Sequence, residues 1–402
     1  MGKPIKPRNN LVELFRFIYS LLVLGYHIQF SYDDEKVDPF ENGALAVEFY
    51  FLLSGYFLAR SLEKINKDEK TSLIKKWYSF MKNKITAILN VHILSIIVVI
   101  IIIACFDKNN FKNKFLNGLP SVFFVQMFIV WAGDFDKALI VPEWYLSAMS
   151  AMLICMLFMV PIFLILIKKI KGIFCTIILV GVLSILAIIA GACMKWIINE
   201  NIVYDLRAWG EMCVGMFSYY LSIYIKNKDF GNCMTILLKS IETLGYGIPV
   251  IFGIIPLSKN YQGILMGITV VLEFLAIFIT FSDKGNIISN QIINGMCGYL
   301  GSISLPIYLF HPVLITLIDY IDKKVKRWIK YIIVFPVSLI LALLYRIIAD
   351  YFNKNMKEKE KLNKETKGKE NENEDINKDY QNYKNLEIKE GIIDQNKFQI
   401  NS

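Results

Sequence analysis

Long apolar stretches separated by short polar segments dominate the pattern of the chain. At about 1.5 Å per residue, each is long enough to cross a hydrocarbon layer of roughly 30 Å as a helix. The predicted spans are 10–30, 43–62, 85–105, 143–167, 173–194, 208–225, 236–256, 261–281, 296–318 and 329–350. They are far longer than the strands of a membrane barrel, which have roughly ten residues. The pattern therefore predicts an all-α, polytopic membrane helical bundle of about ten transmembrane helices.

A shorter apolar piece at 119–131 leaves the number of spans open. It reads LPSVFFVQMFIVW, is flanked by Asn, Gly and Asp, and is short for a span. Its pattern favours a re-entrant segment or one packed against the bundle. The alternative is an eleventh span, which would invert the orientation of everything after it.

The distribution of lysine predicts the orientation of the bundle. With ten spans, the lysine-rich loops after the second, fourth and sixth spans share the side of the N-terminus. Because basic loops are retained in the cytoplasm, both termini are expected to be cytoplasmic. The basic loop at 322–330 disagrees with this orientation.

The apolar pattern stops after residue 352. From residue 353 the chain is rich in Lys, Glu and Asn and cannot bury enough apolar surface to fold by itself. The sequence therefore predicts a membrane domain at 1–352 and a charged, disordered cytoplasmic tail at 353–402.

Composition supports a membrane protein and argues against other classes. Of the 402 residues, 55% are hydrophobic, which is too apolar for a soluble globular chain of this size. The seven cysteines stand singly without a C-x-x-C pair, so we interpret them as core residues and expect no metal site. The net charge of +9 is spread over the loops, which indicates a lipid bilayer as partner and no nucleic acid.

A line of polar residues runs along the first predicted span. Arg16 and His27 are eleven residues apart, so on a helix they lie within about 20° of one face and about 16 Å apart along the axis. Glu13 and Ser20 fall close to the same stripe. Because an arginine in hydrocarbon costs about 2.5–3.5 kcal/mol on insertion scales, the line is expected to face the bundle interior or a watery cavity.

Two interpretations of this line remain open. In the first, Glu13 and Arg16 form a structural ion pair near the cytoplasmic end, and His27 reaches the outer interface. In the second, the line faces a passage with a cationic inner part and, at its outer part, an imidazole able to transfer protons near neutral pH.

Two acidic residues inside spans have alternative interpretations as well. Glu48, near the outer end of the second span, is placed to orient the imidazole of His27 and fix its tautomer, or else to cap a neighbouring loop. Glu273 stands alone near the middle of its span. It is either neutral and hydrogen-bonded or part of a cavity wall.

Other polar and small residues are expected to support packing. Ser54 and Gly55 favour close approach of two helices. His92 has no acidic neighbour, and we interpret it as a packing or interhelical hydrogen-bonding residue. Spacing by four residues predicts two ion pairs, Arg207 with Glu211 and Arg346 with Asp350.

Four segments together resemble one family. They are NNLVELFRFIYSLLVLGYH, GALAVEFYFLLSGYFLARSL, EWYLSAM and SLPIYLFHPVLI, and they occur in the family's order over 9–350. The first has an arginine, ten residues and then a histidine. This set resembles the acyltransferase-3 family of bacterial membrane proteins, which acylate sugars and cell-surface glycans.

The resemblance implies an activity. An acyl group, usually acetyl, would move from cytoplasmic acyl-CoA, a donor substrate rather than a bound cofactor, to a hydroxyl of a sugar or of a surface or exported polysaccharide. It also implies a location in the bacterial plasma membrane. No further transferase domain follows the spans, so a second transfer step would need a separate extracytoplasmic partner.

The resemblance further implies roles for particular residues. Arg16 and His27 match the family's essential pair, with His27 as general base or transient acyl carrier and Arg16 binding the donor, while Glu48 orients His27. The expected acceptor-side residues are Trp144, Tyr145 and His311. Lys82 and Lys84 stand where the family usually has two arginines, and they would bind the phosphates of the donor as point charges.

Two other functions remain alternatives. The first is a transporter or flippase for a lipid-linked or anionic solute, with Arg16 as counter-charge and His27 as proton relay. The sequence shows no inverted repeat that would favour it. The second is a protein that senses glycans without catalysis, which should tolerate loss of His27.

Overall fold

The computed structural model describes residues 9–29, 39–67, 73–123, 139, 200–256, 262–286, 291–322 and 325–352, with a few positions beyond. Within the helices, the side chains of 200–206 and of many residues between 64 and 87 lie outside the description. By its internal contacts the chain forms two units, Met1–Leu343 and Leu344–Ser402. All sites discussed below belong to the first unit.

The described part of the chain is helical and has no strands. Its helices are α1 (Asn10–Gln29), α2 (Ala46–Lys67), α3 (Leu73–Phe106), α4 (Phe111–Val122), α5 (Glu200–Lys226), α6 (Asn232–Ile254), α7 (Gln262–Phe281), α8 (Gln291–Ile321) and α9 (Arg327–Met356). Seven of the described helices, all except α4 and α5, are long and apolar enough to cross a membrane. The predicted all-α membrane bundle is confirmed.

Several predicted spans coincide with these helices and others cannot be compared. The span expected at 208–225 lies within α5, but α5 is not among the seven apolar helices. The spans expected at 143–167 and 173–194 lie outside the described residues. The short apolar piece at 119–131 is described only in part. Its first residues form the end of α4, and its residues after 123 lie outside the described part of the chain.

Two glycines let α2 and α5 approach at backbone distance. A Cβ atom on Gly55 would collide with the backbone carbonyl of Met212, and one on Gly215 would collide with the carbonyl of Leu52. Helices inside a membrane gain little from the hydrophobic effect, so close van der Waals packing between small residues supplies much of their association. The close approach predicted from Gly55 is confirmed.

Helices α1 and α8 form a second closely packed seam. Leu24 and Ile28 of α1 are fully buried in one apolar cluster with Ile303 and Ile307 of α8. Elsewhere on α8, Gly301 leaves space for Glu13 of α1. A Cβ atom added to Gly301 would collide with side-chain and backbone atoms of Glu13. One part of the α1–α8 seam is therefore apolar, and the other part, around Gly301, has space for the charged residue Glu13.

Helix α4 is held against the end of α3. The Nε2 atom of His92 lies 3.0 Å from the backbone oxygen of Ser121, which confirms the interhelical bonding expected of this histidine. After α3, Asp107 forms an ion pair of 2.7 Å with Lys114. The hydrogen bond from Lys114 holds the pKa of Asp107 below its usual range.

Candidate active site

Two histidines from distant parts of the sequence meet inside the bundle. His27 lies in the last turn of α1 and His311 in the middle of α8. Their ring centroids are 5.4 Å apart and the rings are nearly parallel, with an angle of 27° between their planes. Tyr26 and Tyr308 approach this pair edge-on, at 5.2 Å from His27 and 5.9 Å from His311. The structure thus brings together two residues that the sequence assigned separately.

The local backbone fixes the orientation of His311. Its Nδ1 atom lies 3.1 Å from the carbonyl oxygen of Ile307, one turn earlier, and an oxygen can only accept a hydrogen bond, so Nδ1 carries a proton. If the ring is neutral, Nε2 then has a lone pair. That Nε2 atom is buried and has no hydrogen-bond partner among the described residues. Pro312 lacks an N–H, so it cannot form the regular helical hydrogen bond one turn back in α8.

Arg16 lies on the same helix as His27, toward the other end. Its Nη1 atom donates to Glu13 at 3.0 Å, and its backbone oxygen accepts a hydrogen bond of 2.6 Å from Tyr50 of α2. The side chain of Arg16 is 30% exposed, whereas that of Glu13 is 10% exposed. The pair expected in the structural interpretation is therefore present, while part of the guanidinium remains accessible.

Glu48 is bound to an arginine. It is fully buried at the start of α2, and its carboxylate pairs with Arg207 of α5, whose Nε lies 3.3 Å from one oxygen. The same Nε is 3.1 Å from Glu211, which confirms the predicted i,i+4 pair. The orienting role of Glu48 toward His27 remains a prediction, and the described contacts of Glu48 are to Arg207.

Of the remaining predicted site residues, only Lys82 has a described side chain. Trp144 and Tyr145 lie outside the described residues. Lys82 is exposed on α3, and the side chain of Lys84 is outside the description. Lys82 does not line the cavity described next.

A cavity of about 690 Å³ opens at the end of the bundle where α1 begins. We call this end the Asn10 end and the opposite one the His27 end. The cavity wall contains the stacked rings of Tyr56 and Phe281, whose centroids are 4.0 Å apart, and two basic residues, Arg60 and Lys226. Lys226 pairs with Asp283. Glu13 and Asp283 line the cavity as well, so it combines a flat aromatic wall with two basic and two acidic side chains.

Sequence reasoning did not assign Arg60 to a site or connect Arg207 with Glu48. The sequence shows Arg60 only as a basic residue near the end of an apolar run. Arg207 has a visible partner four residues away, while Glu48 is 159 residues distant. Pairing over such a separation depends on how helices pack, which periodicity does not reveal.

The apolar helices and the imidazole pair buried between two of them define an integral membrane protein with polar chemistry inside its bundle. Comparison with protein families gives the particular class: residues 9–347 match the acyltransferase-3 model, described as an acyltransferase domain. The chain belongs to this family, as its four motifs indicated, and is an acyltransferase that transfers groups other than aminoacyl groups. No curated protein and no solved structure matches the chain.

Proposed function

We propose that this protein is an O-acyltransferase that moves an acetyl group from cytoplasmic acyl-CoA to a hydroxyl of a sugar or of a surface or exported polysaccharide. It works in the bacterial plasma membrane with both termini in the cytoplasm, and the lysine-rich loops support that orientation. The observation that carries the proposal is the stacked pair of His27 and His311, in which the buried Nε2 atom of His311 has no hydrogen-bond partner among the described residues.

His27 is the proposed base. A neutral imidazole takes the proton of the acceptor hydroxyl while that oxygen attacks the carbonyl carbon of the thioester. The carbon–sulfur bond then breaks, and the thiolate of CoA leaves with the electron pair and is protonated to the thiol. The alternative is that His27 first receives the acyl group and then passes it to the acceptor oxygen, which gives the same overall balance.

His311 is proposed to hold the acceptor. With Nδ1 carrying the proton, its Nε2 lone pair can accept a hydrogen bond from the sugar hydroxyl and keep that hydroxyl near His27. Because the ring is fully buried, the bond would form away from bulk water. Trp144 and Tyr145 remain the proposed walls of this acceptor site.

The cavity at the Asn10 end is the proposed entrance for the donor. CoA carries phosphates and an adenine, and Arg60 and the partly exposed rings of Phe57 and Phe281 offer a phosphate partner and an apolar aromatic surface. Arg16, partly exposed further along α1, is placed between this entrance and His27. Lys82 and Lys84 are retained as proposed phosphate partners outside the cavity.

The test is acyl transfer by the purified protein in liposomes, with labelled acetyl-CoA on one side and a panel of sugars and polysaccharides on the other. We expect His27→Gln to lower transfer at least a hundredfold, because general acid–base catalysis contributes about 10²–10⁴-fold. The chain has only three histidines, so His92→Gln is a matched control that should retain transfer. Full transfer by His27→Gln, or gradient-dependent solute movement without any transfer, would overturn the enzyme in favour of a sensor or a transporter.

A further inference from the structure

A set of buried hydroxyl and carboxyl groups, distinct from the histidine pair, connects the interior of the bundle with the Asn10 end. Its members come from four helices, and none is more than 4% exposed. They are Glu211, Glu273, Tyr19, Tyr246, Thr280 and Glu242. We call this set the buried row. The proposed catalytic roles use none of its members.

At the Asn10 end the buried row is a chain of hydrogen bonds. The hydroxyls of Tyr246 and Thr280 are 3.0 Å apart, and Thr280 donates to one oxygen of Glu242 at 2.5 Å. The other oxygen of Glu242 accepts the backbone N–H of Asn286. Thr280 and Asn286 both line the cavity at this end. The chain therefore ends where a group in the cavity can exchange a proton with it.

The bonds of Thr280 allow a proton to pass in steps. When Glu242 is ionised it can only accept, so Thr280 donates to it and receives a bond from Tyr246. The hydroxyl of Thr280 also lies 2.8 Å from the carbonyl of Ala276. It can turn its single hydrogen to that carbonyl once Glu242 carries a proton. Both protonation states of Glu242 thus have a satisfied arrangement.

Glu273 occupies the middle of the buried row. It lies beside the hydroxyl of Tyr19 and interacts electrostatically with Glu211. Tyr19 in turn donates to the backbone oxygen of Tyr246 at 3.3 Å. By distance, neither carboxylate oxygen of Glu273 has a hydrogen-bond partner among the described residues. The same holds for Oε2 of Glu211, the oxygen that does not bond to Arg207. Such oxygens are the usual partners of buried water.

We propose that the buried row, with water bridging the gap between the Glu273 carboxyl and the Tyr246 hydroxyl, carries protons between the membrane interior near Glu273 and the Asn10 end. Ionisable residues inside membrane bundles are costly to insert and commonly serve proton relays. Among the described residues Glu273 forms no ion pair, and the Tyr19 hydroxyl beside it already donates to the backbone of Tyr246, so Glu273 is better suited to transfer protons than to join helices. The charged and titratable groups described around it are Glu211, Tyr19 and Tyr246.

The purpose of this path rests on the proposed function. The acceptor hydroxyl loses its proton near His27, and the thiolate of CoA needs one proton when it departs through the Asn10 end. If the thiolate departs unprotonated, the proton left on His27 returns through the buried row, and the overall reaction balances without taking a proton from the cytoplasm. If the proton on His27 instead passes directly to the sulfur of CoA and leaves with the thiol, the reaction does not need the buried row.

Proton counting during acyl transfer separates these cases. Liposomes hold acetyl-CoA and a trapped pH-sensitive dye, and the acceptor is added outside. We expect the wild type to transfer acetyl without making the lumen alkaline, because each thiolate receives its proton through the row. Glu273→Gln and Thr280→Val should transfer at least tenfold more slowly, with about one proton removed from the lumen per transfer. Ser282→Ala removes another fully buried hydroxyl, bonded to its own helix at Ile279, and should match the wild type.

Some outcomes would overturn the path while leaving the acyltransferase intact. One such outcome is that, with the wild type, the lumen of the liposomes loses one proton for each acetyl group transferred. Another is equal behaviour of wild type, Glu273→Gln and Thr280→Val, which would mean that the proton departs on the thiol. Thr280→Val preserves shape and charge, so it keeps the test valid if Glu273→Gln does not fold.

A second measurement does not depend on acyl transfer. With a potassium diffusion potential across the liposomes, we expect the wild type to pass protons at least tenfold faster than Glu273→Gln or Thr280→Val. This result would stand even if the wild type acylated no acceptor, in which case the proposed function alone would fail. Equal proton flux through all three proteins would overturn the buried row as a proton path.

Discussion

The α1–α8 seam and the α2–α5 seam differ in whether their buried polar atoms have bonding partners among the described residues. Between α2 and α5, Arg207 binds Glu48 and Glu211, and the helices touch at two glycines. Between α1 and α8, His27 stacks on His311, whose Nε2 atom has no bond among the described residues. Paired charges and close backbones are typical of structural support, whereas an unbonded buried nitrogen is typical of a site that binds another molecule. This difference favours a structural role for the α2–α5 seam and supports the catalytic role that we propose for the α1–α8 seam.

The largest expected effect is on the α1–α8 seam, with His311→Asn. The amide nitrogen of asparagine sits close to the position of Nδ1, so the bond to Ile307 is kept while the Nε2 atom is lost. We expect the turnover rate to fall at least 10²-fold, because losing the group that holds the acceptor hydroxyl beside His27 misplaces a reacting atom, and a misplacement of about 1 Å can cost about 10²-fold. The measurement is steady-state acyl transfer. Thermal unfolding in detergent should move little, and a destabilised protein with normal turnover would show that His311 is structural.

The α2–α5 seam should respond in stability, with Arg207→Met. This change leaves Glu48 and Glu211 buried without their counter-charge, and breaking a buried ion pair costs about 3–5 kcal/mol. Denaturation of the detergent-solubilised protein measures the loss. Adding Glu48→Gln should recover part of it, because one uncompensated charge is then removed. If the double variant is no more stable than Arg207→Met, the ion pairs do not hold this seam.

Gly55→Ala tests the backbone contact of the same seam. The added Cβ meets the carbonyl of Met212, and overpacking of this kind costs about 1–3 kcal/mol. Gly247→Ala is the matched control, because nothing lies within 4 Å of its Cβ position. Surface changes of that type usually stay within about 0.5 kcal/mol. Equal unfolding temperatures for the two variants would contradict the close approach of α2 and α5.

The local pattern of apolar and small residues predicted many of the helices, but few of the residue pairs between them. The spans on α1, α3 and α8 follow from apolar length, and Gly55 follows from the need for small residues where membrane helices touch. These properties depend on neighbouring residues in the sequence. They are therefore visible before any helix is placed against another.

The pairing of His27 with His311 and of Glu48 with Arg207 was not predictable in this way. Each pair joins residues more than 150 positions apart, and its geometry depends on which helices become neighbours. The sequence placed Glu48 and His27 at the same end of two adjacent spans, which made their contact reasonable. An arginine on α5 has a stronger attraction for the buried carboxylate of Glu48 than a neutral imidazole has.

The smallest expected effect concerns an ion pair within α1 beside the α1–α8 seam, Arg16 with Glu13. The side chain of Arg16 is 30% exposed, so Glu13→Gln should change the unfolding free energy by only about 0.2–1 kcal/mol. If Arg16 binds the donor, losing the competing carboxylate should lower the KM for acetyl-CoA by about two- to fivefold at unchanged kcat. Asp350→Asn breaks another intrahelical ion pair, Arg346 with Asp350 at i,i+4, and should leave KM unchanged. A raised KM in Glu13→Gln would instead mean that Glu13 holds Arg16 in its working position, so this pair would also be structural.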